Sequence, residues 1–168
     1  MNWIIGGDLE SLTVGGVFNG VTMSVGGTLT SATLGDVRGC AITVGRRVVS
    51  FTSSTFIDSH LHVGFTPLNP ADPMAGATSA RFNRALVTQI DSFRVTARTG
   101  IAFAGSTIAA RHIGFVSLRR VSIAHPRQFG VLADDSIRHV VVGTPGYRLT
   151  NRTTPLNSGI GQFRVRIV

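Results

Sequence analysis

The densest group of chemically capable side chains is Asp58-Ser59-His60-Leu61-His62, set inside Phe56–Gly64. Residues two apart on a strand point the same way, so His60 and His62 would share a face and could offer two imidazoles to a metal such as zinc. The segment aligns without gaps to Phe18–Gly26 and to Val37–Gly45. His60 and His62 then fall where Thr22 and Ser24, and Ala41 and Thr43, fall. Those positions alternate with apolar residues, which places both histidines on the outer face of a strand. They are read as surface residues with no metal or other cofactor, and as the two candidate ligands were a metal bound. His112, His125 and His139 show no ligand spacing among themselves.

Cleavage of a polysaccharide needs clustered carboxylates with a base or an arginine, or two acids flanking the bond. The candidates are Asp58, Asp91, Asp134 and Asp135. Only Asp134 and Asp135 adjoin, and neighbours on a strand face opposite ways, so the pair is read as a corner before a strand at Ile137. No catalytic residue is assigned. Thr13, Thr33 and Thr52 occupy equivalent outward positions, but the column continues as Arg94, Ser117, Val141 and Arg164, which breaks any flat threonine array. The glycine pairs lack the lysine and following helix of a phosphate loop.

Charge supplies the remaining candidate surface. All 16 basic residues are arginine. Residues 1–89 balance five arginines against five acids, whereas residues 90–168 hold eleven against three and carry the whole net charge of +8. A polyanion-binding face is therefore sketched from Arg94, Arg98, Arg111, Arg119, Arg120, Arg138, Arg164 and Arg166. Base stacking would require aromatics interleaved with these arginines. Phe93 and Phe163 would instead point inward, so no specific nucleic-acid partner is expected.

The elements that must position these residues are short and repetitive. A phrase such as Leu9–Val14 returns at Leu29–Leu34 and Val48–Ser53, spaced 20 then 19 residues. A second phrase, Phe18–Val25, returns at Val37–Val44 and Phe56–Val63, spaced 19 and 19. Two alternating apolar runs in a period near 20 predict a β-solenoid. Within the second phrase Val21, Met23 and Val25 would face in, as would Cys40, Ile42 and Val44. Glycines close most phrases, where strands must turn sharply.

Residues 65–87 interrupt the rhythm with three of the six prolines and are expected to leave the solenoid as a protruding loop. The first phrase resumes at Ile90–Val95, Ile113–Leu118 and Ile137–Val142, and a seventh copy is read at Ile160–Val165. Residues 143–159 read as a second loop. The expectation is an all-β fold: one single-stranded parallel β-helix over 1–168, right-handed, of about seven coils of 19–24 residues. Arg164 and Arg166 would guard its last, otherwise exposed, strand edge. The N-terminal end shows no such device, so further coils of a longer chain are expected upstream.

Cys40 alone excludes an intramolecular disulfide. No apolar run reaches the ~18 residues of a membrane span, and no signal-peptide pattern opens the chain.

The phrases Leu9-Glu-Ser-Leu-Thr-Val-Gly-Gly, Phe103-Ala-Gly-Ser-Thr-Ile-Ala-Ala and the closing Gly161-Gln-Phe-Arg-Val-Arg-Ile-Val resemble the repeat region, at its C-terminal end, of very large secreted surface proteins of planctomycete-type bacteria. The resemblance implies an extracellular or cell-surface β-helix with no assigned catalytic residues. The function expected is structural or adhesive, with acidic envelope polysaccharide as a partner. The alternatives are a bactofilin-like polymer-forming solenoid and a β-helix polysaccharide lyase or hydrolase. Phe56–Gly64 also resembles the Asp-x-His-x-His signature of amidohydrolases. That implies a TIM barrel of typically ~250 residues with βα alternation, and this chain has neither.

Overall fold

The computed structural model describes residues 1–168. In chain order its strands are β1 (Asn2–Ile5), β2 (Leu9–Asn19), β3 (Thr22–Val25), β4 (Thr28–Arg38), β5 (Ala41–Val44), β6 (Arg47–Ile57) and β7 (His60–Val63). After a single 3-10 turn at Ser79–Arg81 come β8 (Gln89–Val95), β9 (Phe103–Ala104), β10 (Thr107–Arg120), β11 (Phe129–Thr144), β12 (Tyr147–Arg152), β13 (Leu156–Ile160) and β14 (Phe163–Ile167). They wind into a β-solenoid of about six turns.

Each coil has three sides, and each side stacks on its counterpart in the next coil through parallel pairing. Side A runs β1, β3, β5, β7, Thr107–Ala109 of β10, then Gly130–Ala133 of β11, then β14. Side B stacks Leu9–Val14, Leu29–Leu34, Val48–Ser53, β8, His112–Leu118 and Ser136–Val142. Side C is short: the ends of β2, β4 and β6, then β9, with Phe103 bridged to Val121. The 20-then-19 spacing has a local cause. Gly15 and Gly16 stand opposite the single Gly35, and the register shifts there.

The inward residues form one apolar core running the length of the axis, with Met23, Ile42 and Leu61 from side A and Leu29, Phe51 and Phe93 from side B. Phenylalanines fill its middle. Phe51 and Phe93 stack at 5.1 Å, and Phe56 meets Phe93 edge-on at 5.2 Å. Phe56 and Phe103 stack at 6.2 Å. Cys40 is a buried core residue at the corner between sides C and A. The serines that follow it in that column satisfy the corner amides: Cys40 N–H donates to Ser59 Oγ at 3.1 Å, and Ser59 N–H to Ser106 Oγ at 3.0 Å.

At the A-to-B corner each coil's backbone rests on the one before. Gly26 and Gly45 donate to Ile5 O and Val25 O, both at 2.8 Å. A Cβ on Gly45 would collide with the Gly26 carbonyl, so the corner must be bare.

Three expectations about the C-terminal coils are corrected. Residues 143–159 are mostly strand rather than loop. β12 turns back antiparallel along β11, from Val142↔Tyr147 to Ile137↔Arg152, and β13 runs antiparallel to β14. The seventh phrase does not stack on Ile137–Val142. Phe163 pairs with Phe129 and Arg164 with Gly130, which puts β14 on side A. Its alternation fits either side, and the reversal at β12 closes side B first. Arg164 and Arg166 therefore guard no edge, because β13 lies outside them.

Residues 65–87 leave the ladder as expected, but they lie down on the outer face of side A instead of protruding. Phe65, Ala77 and Phe82 pack on the outward Ala109 and Leu132. Arg127 Nη1 donates to Ala71 O at 2.6 Å, and Arg166 Nη1 to Met74 O at 2.8 Å.

Candidate functional site

The histidine pair sits beneath that excursion, which corrects its placement on an open surface. Both rings do point away from the solenoid core, but the excursion covers them. His62 is 6% exposed. It stacks on His60 at 5.6 Å and meets Phe65 edge-on at 5.1 Å. Burial, with a smaller push from His60, lowers the His62 pKa to about 3. Burial also lowers that of His60, against an opposing pull from Asp58. His60 Nδ1 and His62 Nε2 are buried without hydrogen-bond partners. No group of three or more His, Cys, Asp or Glu side chains converges on them. Asp58 has a conformational reason for its place. With φ of 48° it fills the left-handed corner that Gly20 and Gly39 fill in earlier coils, a conformation Asp tolerates better than most residues.

Asp134 and Asp135 do not face opposite ways from a corner. Both lie within β11 beside a register shift between Ala110 and His112, and both reach Arg111. The Asp134 carboxylate is fully buried, 3.1 Å from Arg84 Nε and bonded by Ser79 Oγ. Asp135 takes Arg111 Nη2 at 2.5 Å, with His112 Nε2 at 3.4 Å. The cluster clamps the excursion to the solenoid, and its charges are consumed internally.

The eight arginines of the sketched face do not share one surface. Arg111 belongs to the clamp. Arg164 and Arg166 lie on side A, the latter tied to the excursion. Arg119 and Arg120 stand where side B turns to side C, and Arg98 lies in the loop after β8. Arg94 and Arg138 remain on the outer face of side B, in its C-terminal half. There the structure adds residues that sequence reading missed. The column Thr13, Thr33, Thr52, Arg94, Ser117, Val141 continues to Arg148 of β12, not to Arg164. A parallel column reads Ser11, Ser31, Ser50, Ser92, Phe115, His139, Thr150.

Phe115 therefore faces outward. Arg94 Cζ lies over its ring, 5.1 Å from the centroid, and His139 is 6.4 Å away on the other side. Two hollows flank Arg138. One of about 440 Å³ is lined by Arg47, Gln89, Asp91, His112, Gly114 and Arg138. The other, about 320 Å³, lies between Arg138 and Arg152. In the first, Asp91 is already engaged: Arg47 Nε donates to Oδ2 at 2.9 Å and Gln89 Nε2 to Oδ1 at 2.5 Å. Arg94, Arg138, Arg148 and Arg152 have no carboxylate within salt-bridge distance.

The architecture defines an all-β solenoid with a basic, hydroxyl-bearing outer sheet. Compared with known proteins, the chain matches no family model, no curated protein and no solved structure.

Proposed function

We propose that this chain is a structural, adhesive segment of a secreted or cell-surface bacterial protein, a rigid spacer that contacts acidic polysaccharide and catalyses nothing itself. The observation that carries the reading is the separation of roles between inside and outside. The inward residues form one continuous core, apolar but for Ser53 and the corner serines Ser59 and Ser106, while arginines without carboxylate partners gather on the outer face of side B. Such a body keeps its shape without a ligand and presents a fixed pattern of charge along a sheet. Retention on an immobilised acidic polysaccharide, compared with a neutral one across a salt series, tests it. Salt-sensitive retention on the acidic polymer alone is expected; no retention, or retention indifferent to salt, overturns it.

One observation favours a second reading, end-to-end assembly of the bactofilin kind. The inward residues of the first coil, Trp3, Ile5, Leu9, Leu12 and Val14, are only partly buried, and β1 and β2 have a strand on one side only. A further coil stacked there would complete both ladders. Filaments in electron micrographs of the purified chain would decide for this reading over the first.

A further inference from the structure

We infer that the C-terminal half of side B is a binding site for a carboxylated or sulfated glycan laid across the strands. The site deepens the adhesive reading and rests on it. Arg94 and Arg148 occupy the same outward column with Ser117 and Val141 between them. Three rungs at ~4.8 Å put these two guanidinium-bearing positions about 14 Å apart along the stacking direction. Arg138 flanks the same surface, with the bare Gly114 backbone forming a notch beside it, while Arg152, opposite the inward Ile137, lines only the hollow at its margin. Three guanidinium groups without carboxylate partners, those of Arg94, Arg138 and Arg148, can each offer paired N–H donors to a carboxylate or sulfate.

Arg94 is already ordered for the task. Its Nε lies 3.4 Å from Ser92 Oγ and its head group rests on Phe115. Little rotamer freedom remains to be lost on binding. The outward neighbours Ser92, Ser117 and Thr150 add hydroxyls that can exchange hydrogen bonds with sugar hydroxyls.

The same geometry argues against single-stranded nucleic acid, the other polymer that seeks arginine beside aromatics. A base needs a free aromatic face. Here Arg94 covers one face of Phe115, and the Phe115 and His139 rings are close enough to contact each other, leaving no slot between them.

The test uses the whole chain and four probes: heparin, polygalacturonate, neutral dextran and a thymidine oligonucleotide. Affinities are measured between about 50 and about 300 mM salt, since the steepness of the salt dependence counts the contacts made. Binding to heparin or polygalacturonate and not to dextran is expected. The Arg94→Gln/Arg138→Gln/Arg148→Gln variant should bind at least ~10-fold more weakly with a shallower salt slope. Arg119→Gln/Arg120→Gln and Arg164→Gln/Arg166→Gln should stay within about twofold, all variants keeping the wild-type circular dichroism. No polyanion binding by the wild type overturns the adhesive reading and the site together. Binding that survives the triple variant but falls in either control pair overturns the site alone. A preference for the oligonucleotide over both acidic glycans overturns the ligand class.

Discussion

Acidification should loosen the excursion over His60 and His62, and replacing His62 should remove most of that sensitivity. The His62 pKa is about 3 where it sits, against 6.5 for a free imidazole. The opened state therefore binds the proton more readily than the covered state, so stability is complete above about pH 6.5 and is lost as pH falls toward 3. At pH 5 the loss from His62 alone comes to about 2 kcal/mol relative to pH 7, and at pH 3 to about 4 kcal/mol. The groups facing the pair set the same sign. His60 opposes a charge on His62, while Asp58, itself beside His125, only partly offsets the burial of His60. Arg81, on the excursion, lines the hollow next to His62 and adds no negative charge. Urea unfolding at pH 7 and pH 5, followed by circular dichroism, measures the loss. Trypsin cleavage at Arg81 and Arg84 reports whether the excursion opens first. In His62→Leu the difference between the two pH values should shrink to the smaller contribution of His60. Equal losses in wild type and His62→Leu would refute the argument, because the proton would then be taken up elsewhere.

Other substitutions test the packing. Asp134→Ala removes the buried carboxylate shared by Arg84, Arg111 and Ser79; it should cost about 2 kcal/mol in urea unfolding and speed tryptic cleavage of the excursion. Phe93→Ala empties the middle of the phenylalanine stack, and a loss of about 3–5 kcal/mol is expected by the same measurement. Gly45→Val forces a branched side chain into the Gly26 carbonyl; the melting temperature should fall sharply, whereas Gly7→Ala, with open space around it and no left-handed backbone, should move it far less.

Much of the solenoid was readable because its cause is local. Alternation at Val21, Met23 and Val25, repeated at Cys40, Ile42 and Val44, can satisfy only a strand with one buried face, and all six are buried. The end of the chain was less readable. Phe163-Arg-Val-Arg-Ile alternates equally well on side A or side B, and nothing local says that the chain reverses after Thr144. His62 was misplaced for a related reason: its register was read correctly, but what covers it comes from residues 65–87, whose tertiary resting place leaves no period in the sequence. Half of the side B site was legible as excess arginine. Phe115 escaped notice because Phe115 and Val116 adjoin in one apolar run, and only the stacked serines Ser11, Ser31, Ser50 and Ser92 mark that column as outward.

The antiparallel strands at one end give the solenoid a mechanical polarity. β14 is bonded along both edges, by β11 and β13, whereas β1 and β2 each hold on by one. A force drawn along the axis would peel the first coil away rung by rung, each step breaking a few bonds of a single ladder. At the far end the outermost strands, β12 and β13, also hold by one ladder each, but each is one arm of an antiparallel hairpin and is tethered to its partner by a two-residue turn as well. Within these residues, unwinding under load should thus begin at Asn2–Asn19 and stop for longest at Phe129–Ile167, as a zip opens from one side.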